Sequence, residues 1–260
     1  MLYMVKKPRR QIAYVSLLGI TQLHLRNPFI IAWWSAAFPG FGHLLLSKYF
    51  RGFLLIGWEM VINSQMHLNE AMVYTFIGQF EQAKAIIDLH WMSFYAPVYL
   101  FSIYDCYRTS LDLNLNFILA KRENAPIDVF KIGCMEINYL DKRSPWVAIV
   151  WSMLMPGMGQ LYTNRILNAF FLLANWVVIS YLAHLLDGLQ YLFMWDLTRS
   201  VSVVEMKWLL FLPSIYGFAI YDAYVNTVEY NKLFDREQAR LLESNYQHPH
   251  FRFPESPLLK

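Results

Sequence analysis

The 260-residue chain predicts an all-α membrane protein built as two tandem repeats, each with two transmembrane helices and a shorter third membrane segment, giving four to six spans. Composition is the first observation behind this. Hydrophobic residues make up 57% and charged residues 16%, against about 45–50% and about 25% for an ordinary soluble domain. Mean hydropathy is +0.28, and nine tryptophans suit a lipid interface. The second observation is internal repetition. A gapless shift of 117 residues aligns Arg26–Phe117 with Arg143–Phe234 and gives roughly 26 identities over 92 positions. The third is run length: Asn27–Ser47 and Ser144–Asn164 each extend 21 residues without Lys, Arg, Asp or Glu, about the length a membrane helix needs.

These features divide the chain into a basic N-terminal and interfacial segment (1–25), a first repeat (26–117), a linker (118–142), a second repeat (143–234) and a C-terminal tail (235–260). Lys6, Lys7, Arg9 and Arg10 precede a moderately apolar stretch, Gln11–Leu25. It is interrupted by polar residues and followed by no small-residue cleavage site, so it is expected to be retained. In each repeat the first span opens with a proline, Pro28 or Pro145, a favourable first-turn position. Second spans are expected at Gly52–Leu68, which contains Glu59, and at Ile166–Leu186. The third segments, Trp91–Tyr104 and Trp208–Tyr221, have 14 uncharged residues each and end on an aspartate. A short span, a re-entrant segment and an interfacial helix all fit that length. The linker aligns its apolar stretch Val129–Cys134 with Ile12–Leu25, so each repeat is expected to begin with a short interfacial element. In the tail, Leu233, Phe234, Leu241 and Leu242 recur at helical spacing, and the run from His248 to Pro257 reads as a frayed end.

Lys and Arg concentrate in the N-terminus, linker and tail if the third segments do not cross, which leaves Lys48, Arg51 and Arg165 in the opposite loops. Cytoplasmic termini and a multi-pass cell-membrane location follow as expectations. A net charge of +3, with no long basic face, gives no reason to expect a nucleic-acid partner. The expected partners are the lipid bilayer and, through the linker and tail, other proteins.

Chemistry must come from the few polar residues inside apolar runs. The steps Pro39-Gly40-Phe41-Gly42 and Pro156-Gly157-Met158-Gly159 predict a helix break in each first span, because proline removes a backbone donor and the glycines permit close approach. Such breaks serve either helix packing or a lined path. His43 and Gln160 follow them, placed to bond exposed carbonyls. Glu59 has no acidic counterpart, since Trp176 aligns with it; Asp105 and Asp222 are a symmetric pair between tyrosines. Either aspartate could pair with an arginine such as Arg26 or Arg143, relay protons or bind a cation. His67 and His184 fall near the ends of the second spans, where an interfacial position competes with proton or metal handling. Cys106 and Cys134 have no metal-ligand spacing, so no metal or cofactor is expected. No catalytic residue is assigned, because no metalloprotease, serine-hydrolase, Walker or dinucleotide motif is present.

The anchors resemble the TM2-domain family and related bacterial multi-pass proteins, in which a glycine-rich step ending near a histidine precedes a second helix and a downstream aspartate. The residues concerned are Gly40, Gly42, His43, Gly52 and Asp105 in the first repeat, and Gly157, Gly159, Tyr162 and Asp222 in the second. They cover about a third of the chain, and the resemblance implies membrane residence without an agreed activity. The resulting expectation is a non-enzymatic interaction or assembly factor. Its alternative is a small transporter or channel-like protein using the duplicated breaks and the carboxylates.

Overall fold

The computed structural model describes residues 8–134 and 136–247; Lys6, Lys7 and the expected frayed run from His248 to Pro257 lie outside them. A hairpin of β1 (Ala13–Ser16) and β2 (Gly19–Gln22) comes first, with Ala13 opposite Gln22. Six helices follow: α1 (Pro28–Ala37), α2 (Phe41–Leu45), α3 (Tyr49–Met66), α4 (Leu68–Phe76), α5 (Phe80–Ile86) and α6 (Leu89–Glu123). The linker forms a second hairpin, β3 (Phe130–Ile132) with β4 (Ile137–Tyr139), in which Phe130 faces Tyr139. Then come α7 (Pro145–Leu154), α8 (Met158–Tyr162), α9 (Ile166–Leu182), α10 (Leu185–Phe193), α11 (Leu197–Val203), α12 (Met206–Leu209) and α13 (Phe211–Tyr246).

Local chemistry explains the start of α1. The Asn27 side chain accepts the Phe29 N–H, and Pro28 occupies the first turn, where a missing donor costs nothing. What ends the helix is the Pro-Gly step. Phe38 is extended, Gly40 takes φ +102°, and the chain turns back into α2. Met155 and Gly157, at φ +103°, repeat this between α7 and α8. An L side chain pays for such a φ, whereas glycine does not. The reversal closes tightly, because Gly42 lies against the Ser35 hydroxyl and the Ile31 carbonyl, where an added Cβ would sit 2.5 and 2.6 Å away. Gly159 stands closer still to Ser152 and Ala148.

The expected four to six spans are therefore corrected. Asn27–Ser47 and Ser144–Asn164 are helical reversals of 10 and 5 residues, not 21-residue rods. Ten residues rise about 15 Å, half of a hydrocarbon core about 30 Å thick. α3 carries Arg51 and Glu59 and ends at His67, at φ +60°. The expected span Ile166–Leu186 is cut at Ala183 and His184, where α9 and α10 meet at 65°. Among the described residues, one stretch, Met206–Tyr246, is long and apolar enough to cross a membrane, and the bent α9–α10 pair would make a second. The expected third segments are parts of longer helices: Trp91–Tyr104 continues within the 35-residue α6, and Trp208–Tyr221 continues into α13.

The copies interlock through aromatic rings. Phe41 stacks on Phe218 at 4.2 Å, Trp34 meets Phe218 edge-on at 5.6 Å, and Phe53 of α3 stacks on Phe171 of α9 at 4.0 Å. A second apolar cluster joins Val15 and Ile20 of the first hairpin to Ala120, Leu140 and Leu233, with the Tyr230 hydroxyl donating to the Ile20 carbonyl at 2.6 Å. Each copy also ties its entry to its long helix in the same way. Arg26 N–H donates to Asn114 at 2.9 Å and the Asn114 amide returns a bond at 2.8 Å; Arg143 and Asn231 repeat both distances.

The reversal generates a paired prediction. Gly159→Ala, which has no room for its methyl, lowers unfolding stability by about 1–3 kcal/mol. Gly57→Ala in α3, which meets open space, raises stability by up to about 1 kcal/mol through helix propensity. Denaturant titration of detergent-solubilised protein followed by circular dichroism measures both.

Candidate functional site: two carboxylate clamps

Asp222 on α13 and Asp105 on α6 each point at the residue that follows the Pro-Gly reversal of their own copy. In the second copy Asp222 is fully buried. It accepts from Arg165 Nη1 at 2.6 Å on Oδ1 and 2.5 Å on Oδ2, from Gln160 Nε2 at 3.1 Å, from Asn168 Nδ2 at 3.0 Å and from Asn226 Nδ2 at 2.9 Å. Arg165, itself buried, is the residue immediately before α9. Its other nitrogen donates to the Tyr49 hydroxyl of the first copy at 3.1 Å. Gln160 spends its second contact on the Ala219 carbonyl at 2.8 Å. A buried charge is tolerable only when paired and saturated with hydrogen bonds, and this one is.

The first copy builds a looser version. Asp105 accepts from His43 Nε2 and from Arg51 Nη1, both at 3.0 Å, but Arg51 is 58% exposed and the aspartate 17%. Burial pushes the His43 imidazole below its usual range despite Asp105, which leaves it neutral. Burial pushes Asp105 the other way, but hydrogen bonds and charge from His43 and Arg51 outweigh it and hold the carboxyl below the usual range. Behind His43, Nδ1 lies 3.1 Å from Cys106 Sγ, and Ser35 Oγ donates to that sulfur at 3.0 Å. One tautomer satisfies the whole row: Ser35 O–H to sulfur, S–H to Nδ1, Nε2–H to Asp105. The cysteine–histidine–aspartate order has the spacing of a nucleophilic relay. Its chemistry is that of a closed core, because Cys106 and His43 are fully buried and the thiol is pushed up to about 12 by burial. In the second copy Ala223 and Gln160 occupy the aligned positions.

The structure thus brings His43 to Asp105 and Gln160 to Asp222, and it separates the other candidates from them. The carboxylates pair with Arg51 and Arg165 and not with Arg26 or Arg143. Glu59 is buried in another network, where Oε1 accepts from Asn63 at 3.0 Å, Asn63 reaches Asn69 at 3.2 Å, and Asn69 donates to the Lys207 carbonyl at 2.7 Å. Burial raises the Glu59 carboxyl above its usual range. His67 and His184 cap helix ends in the left-handed conformation and face acids three residues on, Glu70 at 3.3 Å and Asp187 at 3.2 Å. Among the described residues, no three His, Cys, Asp or Glu side chains gather as a metal site.

Sequence reasoning read Arg51 and Arg165 only as loop charges and Cys106 only as a thiol without ligand spacing, and it gave Asn168, Asn226 and Ser35 no role. A signal existed for the arginines, since Arg51 lies in the first turn of α3 and Arg165 immediately before α9. They sit at non-aligned positions, 51 against Asn168 and 165 against Lys48, so each reaches its aspartate from a different turn. Set against known proteins, the chain matches no family model, no curated protein and no solved structure. Its own geometry defines it: a duplicated helical reversal closed on a carboxylate that is half-buried in the first copy and fully buried in the second.

Two predictions follow from the clamps. Asp222→Asn strands the Arg165 charge and costs about 3–5 kcal/mol. Asp105→Asn, facing a solvated arginine, costs about 1 kcal/mol or less beyond its His43 bond; chemical denaturation separates the two. The second concerns pH. His43 is held neutral when folded but titrates near 6.5 when unfolded, so the unfolded chain binds the extra proton below that value and stability falls with falling pH. His43→Gln, the residue of the second copy, removes this component, and the slopes of the two stability profiles differ only below about pH 6.5, whatever constant offset the lost contacts add.

Proposed function

We propose that this chain is a non-enzymatic, membrane-seated interaction or assembly factor. The observation that carries the reading is an inside-out distribution on the helices flanking the clamps. α7 buries Ala148 and Ser152 while Trp146, at 72% exposure, Val150, Met153 and Leu154 face outward. α9 buries Asn168, Ala169 and Ser180 with Leu172 and Ile179, and turns Phe170, Val177, Val178 and Tyr181 outward. Small and polar side chains mediate helix contacts when the surroundings are apolar, whereas a helix in water hides its large apolar residues. On α1, Phe29 and Trp33 are likewise exposed.

An assembly role is supported over transport by the way the candidate carboxylates are used. Asp222 accepts from four side chains and is fully enclosed, Asp105 holds two partners, and Glu59 belongs to a separate network. A transit site must release its cargo, and saturated pairing of this kind fixes helices instead. Outside the clamps, the β3–β4 hairpin and the charged end of α13 offer surface to partners. Arg236 and Arg240 already bind the linker there, at Asn124 Oδ1 and the Asn124 and Ala125 carbonyls.

Two measurements check the proposal. After carbonate and urea washing of expressing cells' membranes, the protein stays in the pellet and detergent releases it; appearance in the wash would contradict membrane seating. Joint Asp105→Asn and Asp222→Asn substitution depletes the folded protein under the assembly reading. Normal folded protein with loss of solute flux would favour transport instead.

A further inference from the structure

Where the first hairpin leads into α1, a cleft of about 100 Å³ separates the chain from α13 of the second copy. At about 30 Å³ per water it has room for about three waters, or one small polyatomic group. His24, Arg26, Asn27, Tyr221, Asn226 and Glu229 supply its polar lining. Two of these are basic side chains that, among the described residues, lack partners. Among the described residues the Arg26 guanidinium makes no ion pair and no side-chain hydrogen bond, although its backbone is fixed by Asn114. His24, only 6% exposed, has an Nδ1 with no partner.

The charges around the cleft do not balance. Arg165 is matched by Asp222, and Glu229 is matched by Lys232 at 2.7 Å. Among the described residues Arg26 has no ion pair of its own: Asp222 and Glu229 are near enough to favour its charge, but each is already paired with another cation. Arg26 keeps its charge at neutral pH, being lowered only to about 10 by burial and the neighbouring Arg165. His24, driven down to about 3 by burial and by Arg26, Lys232 and Arg165, stays a neutral imidazole with one N–H to give. The second copy differs at this point: Asp141 aligns with His24, so the sequence there supplies an anion two residues before Arg143. The first copy has the arginine without the acid.

We propose that this cleft binds a phosphate group, with Arg26 as the charged donor and His24 and Tyr221 as neutral donors. A guanidinium presents paired N–H groups that match phosphate oxygens, and the half-buried setting strengthens each bond. The group belongs either to a lipid headgroup or to free phosphate. The inference stands on the cleft alone and does not require membrane seating.

The test uses the full chain in detergent micelles. Inorganic phosphate is titrated by calorimetry, with chloride as control, and phosphatidylcholine vesicles with and without phosphatidic acid are compared in flotation. Saturable phosphate binding, weakened about tenfold or more by Arg26→Gln, supports the proposal with free phosphate as source. Phosphatidic acid-dependent flotation lost in the same variant supports it with lipid as source. If Arg26→Gln fails to fold, phenylglyoxal labelling of the wild-type chain replaces it, with Arg26 read by peptide mass spectrometry. Protection of Arg26 by phosphate or phosphatidic acid, and not by chloride, supports the site. No binding from either source, equal binding by Arg26→Gln, or no protection would overturn it.

Discussion

The close approach at the Pro-Gly-x-Gly step is the constraint on which the rest of the structure depends. Gly42 and Gly159 let the chain fold back until α2 lies on α1 and α8 on α7. This contact puts His43 and Gln160 beside the long helices, where Asp105 and Asp222 wait. A side chain at either glycine would push the short helix away and open the carboxylate to solvent. The carboxylates in turn fix where α3 and α9 start, because Arg51 and Arg165 must reach them. Backbone geometry and buried charge thus hold each other in place.

The two copies share that geometry but divide its strength unequally. In the second, arginine and three amides saturate one enclosed carboxylate, and Arg165 also reaches across to Tyr49 of the first copy. In the first, a neutral histidine and a solvated arginine share an aspartate near the surface. The second copy therefore holds the more enclosed clamp, and its charged centre doubles as a link between copies. The first keeps freer charges, Arg26 and Arg51 among them, at its surface and at the joint between copies.

Much of this was legible in the sequence for particular reasons. The shift of 117 residues exposed Asp105 with Asp222, the two glycine steps, and Arg26–Asn114 against Arg143–Asn231, because a duplicated fold keeps the residues its backbone needs. The helix breaks were legible because proline and adjacent glycine have few other uses in an apolar run. Their outcome was not. A 21-residue uncharged stretch has the same composition whether it runs straight or doubles back, so length suggested spans where the chain makes reversals. The arginines escaped because a gapless alignment compares positions, while Arg51 and Arg165 reach equivalent space from different turns of helix. The Ser35–Cys106–His43 row escaped because its members lie 8 and 63 residues apart and have no aligned copy beyond Ser152.

The reversal is tested most directly by a distance between Ile30 and Ser47. Spin labels at these two positions, in a chain carrying Cys134→Ser and Cys106→Ala, can be measured by pulsed electron paramagnetic resonance in reconstituted protein. A straight helix would hold the two backbones about 26 Å apart at 1.5 Å per residue. The folded-back chain predicts a separation less than about half of that, and a value near the straight-helix length would contradict it.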